Sequence, residues 1–307
     1  MKYFKQGVMT SMASGIEQRR IKANGIDFNV AVSGTNGSPS VFCLHGFPEG
    51  SISWRPVMEA LSEARFFAPD LRGYGPTDHP RDGYDVFTLT DDIKALIEAL
   101  GIDRPVLVCH DWGGALGWIF AHRYSRLIRK LVVINCPHPE TLVRAVLHFE
   151  DFQTIRIPWV PFFQIPWVPE AFFATALGRK LLKLSFTLRE GRTGTMNVKL
   201  VDELVARFQN PDDMRGPIEY YREMVLTQLL PSRRAKLAAV YRTPITVPVT
   251  LVWGAKDGAL SARVAMNSAI DAGCEVECRP LPGVGHFVGL EAADKLAGEI
   301  RRVLTGS

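Results

Sequence analysis

The feature that most constrains the fold of this chain is a short apolar strand that turns directly into a helix. Residues 106–110 read Val-Leu-Val-Cys-His, Asp111 follows them, and residues 115–122 continue with helical periodicity. An uninterrupted apolar strand is typical of a parallel sheet that is covered on both faces. The glycines at 113–114 allow close backbone packing after the turn, and such a turn lifts one side chain out of the sheet. We therefore expect the Asp111 carboxylate to project from a sheet edge at the start of a helix.

Strand and helix patterns alternate on both sides of this turn. Apolar runs predict buried strands, and apolar residues at i, i+3, i+4 and i+7 predict helices such as 91–100. The first two strands are joined by Asn24–Gly25, a strong hairpin signal. This alternation indicates an α/β fold with a mostly parallel central sheet flanked by helices. We predict strands at 16–22, 26–33, 41–44, 65–69, 106–110, 130–136, 247–253 and 275–281, and helices at 51–61, 91–100, 115–122, 261–271 and 291–304.

The alternation stops after residue 137. Residues 138–240 carry helical runs, many prolines and aromatic residues, and no clear strand pattern. The pentapeptide Ile-Pro-Trp-Val-Pro occurs twice, at 157–161 and 165–169, and its prolines exclude one continuous helix. We therefore predict a flexible leader at 1–15, a core at 16–137, an inserted helical cap at 138–240 and the rest of the core at 241–307.

Composition argues against several classes of protein. The formal net charge of +4 is small and no block of lysine and arginine exceeds two residues, so nucleic acid is not an expected partner. No stretch reaches the ~20 apolar residues that a membrane-spanning helix needs. The five cysteines form no metal-ligand pattern, which favours a reducing, cytoplasmic compartment. We expect a monomer or a homodimer.

Four short motifs follow predicted strands and would bring polar groups to one sheet edge. They are His45-Gly46-Phe47-Pro48, Cys109-His110-Asp111-Trp112-Gly113, Trp253-Gly254-Ala255-Lys256-Asp257 and Gly285-His286-Phe287. These motifs and their order resemble the α/β-hydrolase superfamily, in its branch of epoxide hydrolases and haloalkane dehalogenases. The resemblance implies Asp111 as nucleophile, Asp257 as acid and His286 as base, with no cofactor and no metal. It also implies oxyanion donors in the backbone N–H groups of Phe47 and Trp112, with a cis peptide between Phe47 and Pro48.

The residue type at position 111 has a chemical consequence. A carboxylate is ionised at neutral pH, so it needs no base for nucleophilic attack. It would displace a leaving group from an electrophilic carbon and form an alkyl ester on Asp111. His286, oriented by Asp257, would then activate a water molecule that hydrolyses the ester.

The leaving group distinguishes the two kinds of enzyme in this branch. Epoxide opening produces an alkoxide and calls for an acid such as a tyrosine hydroxyl. Residues 216–222, Gly-Pro-Ile-Glu-Tyr-Tyr-Arg, resemble the cap motif of epoxide hydrolases, which implies Tyr221 as the ring-opening acid. The position that matches the family's other cap tyrosine holds Trp159. The alternative is a haloalkane or haloacid dehalogenase in which Trp112 and Trp159 donate to the halide.

The aromatic residues of the predicted cap indicate an apolar pocket. The preferred hypothesis is a hydrolase that converts a small apolar epoxide into a vicinal diol. A ligand-binding protein of the same fold without turnover is a third class of function, and the complete triad argues against it. The predicted pocket residues are His110, Trp159, Phe163, Trp167 and Tyr220.

Overall fold

The computed structural model describes residues 15–188 and 196–306, and an eight-stranded sheet lies at the centre of the fold. The strands are β1 (Glu17–Ala23), β2 (Ile26–Ser33), β3 (Ser40–Leu44), β4 (Arg65–Pro69), β5 (Val106–His110), β6 (Lys130–Ile134), β7 (Val249–Gly254) and β8 (Val276–Leu281). Their spatial order is β1-β2-β4-β3-β5-β6-β7-β8. The pairs β1–β2 and β2–β4 are antiparallel and the other five pairs are parallel, which confirms the predicted fold class. The predicted leader, apart from Gly15, lies outside the described residues.

Helices cover both faces of the sheet and fill the connection between β6 and β7. None of the described helices is both long and apolar enough to cross a membrane. In chain order they are α1 (Arg55–Ala60), α2 (Val86–Ala99), α3 (Trp112–Tyr124), α4 (Pro139–Leu147), α5 (Gln153–Arg156), α6 (Trp159–Phe163), α7 (Val168–Phe173), α8 (Ala176–Leu188), α9 (Val198–Val205), α10 (Pro211–Leu229), α11 (Pro231–Tyr241), α12 (Ala262–Ala265), α13 (Ser268–Ala272), α14 (Val288–Glu291) and α15 (Ala293–Thr305).

Side chains along each central strand alternate between two apolar cores, one on each face of the sheet. In β5, Leu107 and Cys109 face the core that contains α2 and α3, whereas Val106 and Val108 face the core beneath α1 and α15. Burial on both faces is what an uninterrupted apolar strand predicts. Each fully buried aliphatic side chain of this kind contributes roughly 1.5–3 kcal/mol to the free energy of folding.

Local signals explain where the observed elements agree with the predicted ones and where they differ. The Asn24–Gly25 hairpin is confirmed, and both residues have the positive φ values (45° and 76°) that such a tight turn requires. The helix predicted from residue 91 begins at Val86, because the Asp85 side chain accepts hydrogen bonds from the N–H groups of Phe87 and Thr88.

Two predictions about the last part of the chain were wrong in detail. The helix predicted at 261–271 is two short helices, α12 and α13, and the helix predicted at 291–304 is α15 preceded by the separate short helix α14. Ala292 has φ −143° and ψ 49°, which is not helical, and it therefore separates α14 from α15.

The segment between β6 and β7 contains helices α4 to α11 and no strand within its described residues, 139–188 and 196–241. We interpret it as the cap. The division of the chain into a core and a cap domain stays a prediction.

Two buried histidines join both ends of this cap to the core. His138 caps the start of α4, and its Nδ1 accepts a hydrogen bond from the N–H of Glu140 at 3.2 Å. Its Nε2 lies 2.9 Å from Nε2 of His122 on α3, and Nδ1 of His122 lies 2.6 Å from the carbonyl oxygen of Thr243 after α11. These partners require one proton on each ring, because His138 must donate to His122 and His122 must donate to Thr243. Both histidines are therefore neutral in the folded protein.

This arrangement predicts that acid destabilises the protein. Burial lowers the pKa of His122, and burial together with the nearby His122 and Arg144 lowers the pKa of His138 to about 3, against the opposing effect of Asp271. Between the ordinary value of 6.5 and these lowered values the unfolded chain binds more protons. The free energy of unfolding should therefore decrease as pH falls, by up to about 1.4 kcal/mol per pH unit for each histidine.

Denaturant unfolding at about pH 6 and about pH 4 measures this loss of stability. His138→Gln removes one of the two titrations and leaves the other titrating groups of the chain in place. We expect a smaller difference between the two pH values in this variant than in the wild type. Equal differences in the two proteins would contradict the prediction.

Candidate active site

Asp111 occupies the sharp turn between β5 and α3. Its backbone has φ 49° and ψ −117°, and its side chain makes no hydrogen bond to the helix start, so it is not a capping residue. Glycines make this turn possible. A Cβ atom at Gly46 would lie 2.4 Å from Cβ of Asp111, and one at Gly113 would lie 2.4 Å from the carbonyl oxygen of Leu44. The turn therefore presents a carboxylate at the carboxyl edge of the sheet, as the sequence predicts.

The three residues of the predicted triad lie together at this edge. Oδ1 of Asp111 accepts a hydrogen bond from the backbone N–H of Phe47 at 2.8 Å, and Oδ2 lies 3.6 Å from Nε2 of His286. Nδ1 of His286 is 2.8 Å from Oδ2 of Asp257. The predicted cis peptide between Phe47 and Pro48 is also confirmed. The imidazole therefore lies between two carboxylates, one of which keeps 19% of its side-chain surface exposed.

These three groups hold one another in their charged forms. Burial alone would raise the pKa of Asp111, but the interaction with His286 lowers it to about 2. Burial alone would lower the pKa of His286, but Asp257 and Asp111 raise it to about 10. At neutral pH the site therefore contains an imidazolium between two carboxylates.

Asp257 is fixed by hydrogen bonds at both of its carboxylate oxygens. Oδ1 accepts from the backbone N–H groups of Ala259 and Leu260 at 2.7 and 2.9 Å. Oδ2 accepts from Nδ2 of Asn135 at 2.6 Å in addition to His286. Burial raises the pKa of this carboxyl, but these donors and the charge of His286 outweigh burial and keep the pKa below its ordinary value. The acid is therefore ionised and has a fixed orientation.

Asn135 is a site residue that the sequence analysis missed. It directly follows β6, is fully buried, and has a φ of 44°. Its Oδ1 accepts a hydrogen bond from the N–H of Gly254 at 2.7 Å while its Nδ2 donates to Asp257. The predicted strand at 130–136 included it, but β6 ends at Ile134. The available signal was a polar residue near the end of an apolar run, because a parallel strand that stops there places it at the same edge as the triad.

A cavity of about 240 Å³ opens above Asp111 and His286. Most of its wall is apolar. Two helices supply residues at the spacing of one helical face, namely Pro139, Leu142, Val143, Val146 and Leu147 from α4 and Tyr221, Met224, Val225 and Gln228 from α10. The cavity therefore suits an apolar ligand and brings it to the carboxylate of Asp111.

Tyr221 and Trp159 both line this cavity. The ring of Tyr221 packs edge-on against Trp112 and Phe47, with centroid distances of 4.9 and 5.4 Å. The backbone N–H of Phe47 donates to Asp111, and Trp112 directly follows Asp111 in the chain. The side chains of Tyr221 and Asp111 thus line the same apolar cavity.

Several known proteins that are similar to this chain are named epoxide hydrolases. A family model of the α/β hydrolase fold matches residues 39–293. Human epoxide hydrolase 4 is 36% identical over 253 residues, which cover 80% of this chain and 67% of that protein. Mouse epoxide hydrolase 3 is 32% identical over 273 residues, which cover 87% of this chain and 71% of that protein. The chain belongs to the epoxide hydrolase branch of the α/β-hydrolase superfamily.

The solved structures agree with this assignment. A crystal structure of an epoxide hydrolase from Vigna radiata matches this hydrolase with a TM-score of 0.79 and 27% identity, over 97% of this chain and 100% of that one. The resemblance inferred from the four motifs is therefore confirmed. The roles of individual residues are taken up below as proposals.

Four of the residues predicted to line the pocket of this hydrolase lie outside it. Tyr220 is next to Tyr221 on α10, but neighbouring helical residues point about 100° apart, and its hydroxyl donates to the carbonyl oxygen of Arg72 at 3.0 Å. Phe163 is fully buried behind the wall, where its ring packs on Tyr221 and Phe47. Trp167 is 79% exposed on the outside of the cap.

The fourth residue, His110, lies beneath the cavity floor. Its Nδ1 is 2.7 Å from Oε2 of Glu49, and its Nε2 is 2.9 Å from the carbonyl oxygen of His286. Side chains of successive residues at the end of a strand point in opposite directions. His110 therefore points into the protein beneath the cavity, whereas Asp111 points into the cavity. Glu49 also accepts from the N–H of Gly46 at 2.9 Å, so the pair supports the loop that carries Phe47.

Proposed function

We propose that this hydrolase converts an apolar epoxide into a vicinal diol through a covalent alkyl ester on Asp111. The observation that carries the proposal is that the carboxylate of Asp111, the imidazole of His286 and the phenol of Tyr221 line one apolar cavity. Relatives at 32 and 36% identity that are named epoxide hydrolases support the same choice. In this proposal Asp111 is the nucleophile, His286 the base and Tyr221 the acid, and the reaction requires no cofactor.

The first step is attack on an epoxide carbon by the ionised carboxylate. A pKa of about 2 keeps Asp111 charged at neutral pH. As the new C–O bond forms, the carbon–oxygen bond of the ring breaks and its electrons remain on the oxygen. That alkoxide takes the proton of the Tyr221 hydroxyl, which leaves a phenolate and a hydroxyalkyl ester.

Ester formation changes the charge around His286. Asp111 and Asp257 together hold the imidazole pKa at about 10 in the free enzyme. The ester is neutral, so one of these two stabilising charges is lost and the pKa of His286 decreases. The imidazolium then gives up its proton, which passes through water to the Tyr221 phenolate and restores the hydroxyl. His286 becomes a neutral base only after the nucleophile has reacted.

The second step is hydrolysis of the ester. Neutral His286 takes a proton from water through Nε2, and the hydroxide attacks the ester carbonyl while Asp257 stabilises the imidazolium. The negative charge then lies on an oxygen of Asp111, where the N–H of Phe47 already donates at 2.8 Å. The N–H of Trp112, in the first turn of α3, is the second donor. One such donor contributes about 3 kcal/mol. Collapse releases the diol, whose alkoxide oxygen takes the proton from His286. The carboxylic acid left on Asp111 then gives its proton to Nε2 of His286, which restores the carboxylate and the imidazolium of the free enzyme.

A dehalogenase is the second candidate, because Trp112 and Trp159 both line the cavity and carry indole N–H donors. Indole N–H groups can donate to a halide, whereas the phenol of Tyr221 favours an alkoxide leaving group. The two reactions release different products, so product analysis separates them.

We expect styrene oxide to give phenylethanediol and a bromoalkane such as 1-bromobutane to give little or no bromide. Gas chromatography for the diol and ion chromatography for bromide measure both products with one enzyme preparation. Asp111→Asn is the control for background hydrolysis. Bromide without diol would favour the dehalogenase, and the absence of both with several substrates of each class would favour a binding protein.

A further inference from the structure

The loop that carries the acid of the triad also forms part of the cavity wall. Residues 257–261 follow β7, and Ala259 and Leu260 line the cavity. The N–H groups of the same two residues donate to Oδ1 of Asp257. Any shift of this loop therefore moves the hydrogen-bond donors of the carboxylate that orients His286.

Gln153, the first residue of α5, holds this loop from the cap side. Its side chain is fully buried. Nε2 donates to the carbonyl oxygen of Ala259 at 3.1 Å, and Oε1 accepts from the N–H of Ser261 at 2.9 Å. One primary amide thus binds the backbone on both sides of Leu260. This requires one donor and one acceptor on the same group, which only an amide side chain of this length supplies here.

A second contact joins the same two segments. The carboxylate of Asp151 accepts a hydrogen bond from the hydroxyl of Ser261 and forms an ion pair with Arg156 at 3.6 Å. The turn that contains Asp151 is strained, since φ is 48° at Asp151 and 57° at Phe152, values that non-glycine residues rarely adopt. The turn is therefore held by its contacts to the loop and not by its own backbone preference.

We propose that Gln153 is a positioning residue for the ester-hydrolysis step, through its hold on the loop that fixes Asp257. The proposal rests on the two-step reaction proposed above. The first step uses the carboxylate of Asp111 and the hydroxyl of Tyr221, whereas the Gln153 amide binds the backbone of the loop after Asp257. The second step depends on the orientation of His286 by Asp257. Loss of the Gln153 amide therefore slows hydrolysis and leaves alkylation nearly unchanged.

Single-turnover kinetics of Gln153→Met with styrene oxide test this proposal. Methionine has a similar length and no amide, so both hydrogen bonds to the loop are lost. Rapid quench followed by mass spectrometry measures the formation and decay of the ester separately. We expect the decay rate to fall by about tenfold to a hundredfold, as for a misplaced catalytic group. Because the ester then accumulates, kcat and KM should fall together while kcat/KM stays nearly constant.

Gln164→Met is the matched control. Gln164 is also a cap glutamine, but its Nε2 donates to the carbonyl oxygen of Val160 in α6, the helix that Gln164 directly follows. It should leave both rates unchanged. Equal slowing of ester formation and decay in Gln153→Met would indicate a merely structural role and would overturn the proposal, as would an unchanged decay rate.

A second variant covers the possibility that Gln153→Met does not fold. Ser261→Ala removes the hydroxyl, which donates to Asp151 and accepts from the N–H of Val264 at the start of α12, and it retains the backbone N–H that Gln153 binds. It should also slow ester decay, by a smaller factor than Gln153→Met does, and an unchanged decay rate would contradict the proposal.

The wild type separates a failure of the proposed reaction from a failure of the role assigned to Gln153. If it forms no ester with any epoxide, the proposed reaction fails and this inference fails with it, whereas ester formed and hydrolysed normally in all variants overturns only the role of Gln153.

Discussion

Replacing His286 with glutamine is expected to trap an alkyl ester on Asp111. Alkylation does not use the imidazole, and without the imidazolium the carboxyl pKa would rise from about 2 towards its ordinary 3.8, so Asp111 remains ionised at neutral pH. Hydrolysis loses its general base, which contributes about a hundredfold to ten-thousandfold to the rate. Intact-protein mass spectrometry after incubation with styrene oxide should show one added substrate mass, and peptide mapping should assign it to the peptide that contains Asp111.

The matched control is Asp111→Asn, an isosteric change that removes the nucleophile. This variant should show neither the added mass nor turnover. Added mass on the wrong peptide, or no added mass in His286→Gln while the wild type turns over the same epoxide, would contradict a covalent route. Water labelled with heavy oxygen gives an independent result, because ester hydrolysis places the label first in the carboxylate of Asp111.

Replacing Tyr221 with phenylalanine is expected to slow ring opening by about a hundredfold or more. Phenylalanine retains the edge-on packing against Trp112, Phe163 and Phe47, so the substitution removes only the hydroxyl from the cavity. Without this acid the departing oxygen must leave as an unprotonated alkoxide. Stopped-flow tryptophan fluorescence or rapid quench under single-turnover conditions measures the alkylation rate directly.

Two further variants show whether the effect belongs to this hydroxyl. Tyr220→Phe removes the neighbouring hydroxyl, which donates to the carbonyl oxygen of Arg72 outside the cavity. It should leave alkylation nearly unchanged and lower the free energy of unfolding by about 1 kcal/mol. Trp159→Phe should slow alkylation less than Tyr221→Phe does. The opposite order would mean that the indole, and not the phenol, assists the leaving group.

Much of the core fold and the triad could be predicted from the sequence, because both depend on local patterns. An uninterrupted apolar strand must be covered on both faces, and the glycines after Asp111 predict the sharp turn that follows it. Polar residues that directly follow parallel strands must lie at one sheet edge. Asp111, Asp257 and His286 each follow such a strand, so their proximity follows from the order of strands and helices without knowledge of side-chain contacts.

Contacts between distant segments could not be predicted in this way. Asn135 holds Asp257 from 122 residues away, and Gln153 holds the loop after Asp257 from the other side. A lone asparagine or glutamine carries no period, spacing or neighbouring motif that distinguishes it from a surface residue. Its role follows from which backbone and carboxylate groups the fold brings within about 3 Å of it.

The repeated pentapeptide Ile-Pro-Trp-Val-Pro shows which features the sequence determines and which features depend on the tertiary structure. The sequence by itself determined that neither copy continues a long helix, because proline removes a backbone donor and blocks the preceding turn. Only the tertiary structure decided that Trp159 begins α6 and lines the cavity, whereas Trp167 has a φ of 67° and is 79% exposed. Five identical residues make too few interactions among themselves to select one conformation, so the surrounding helices select it for them.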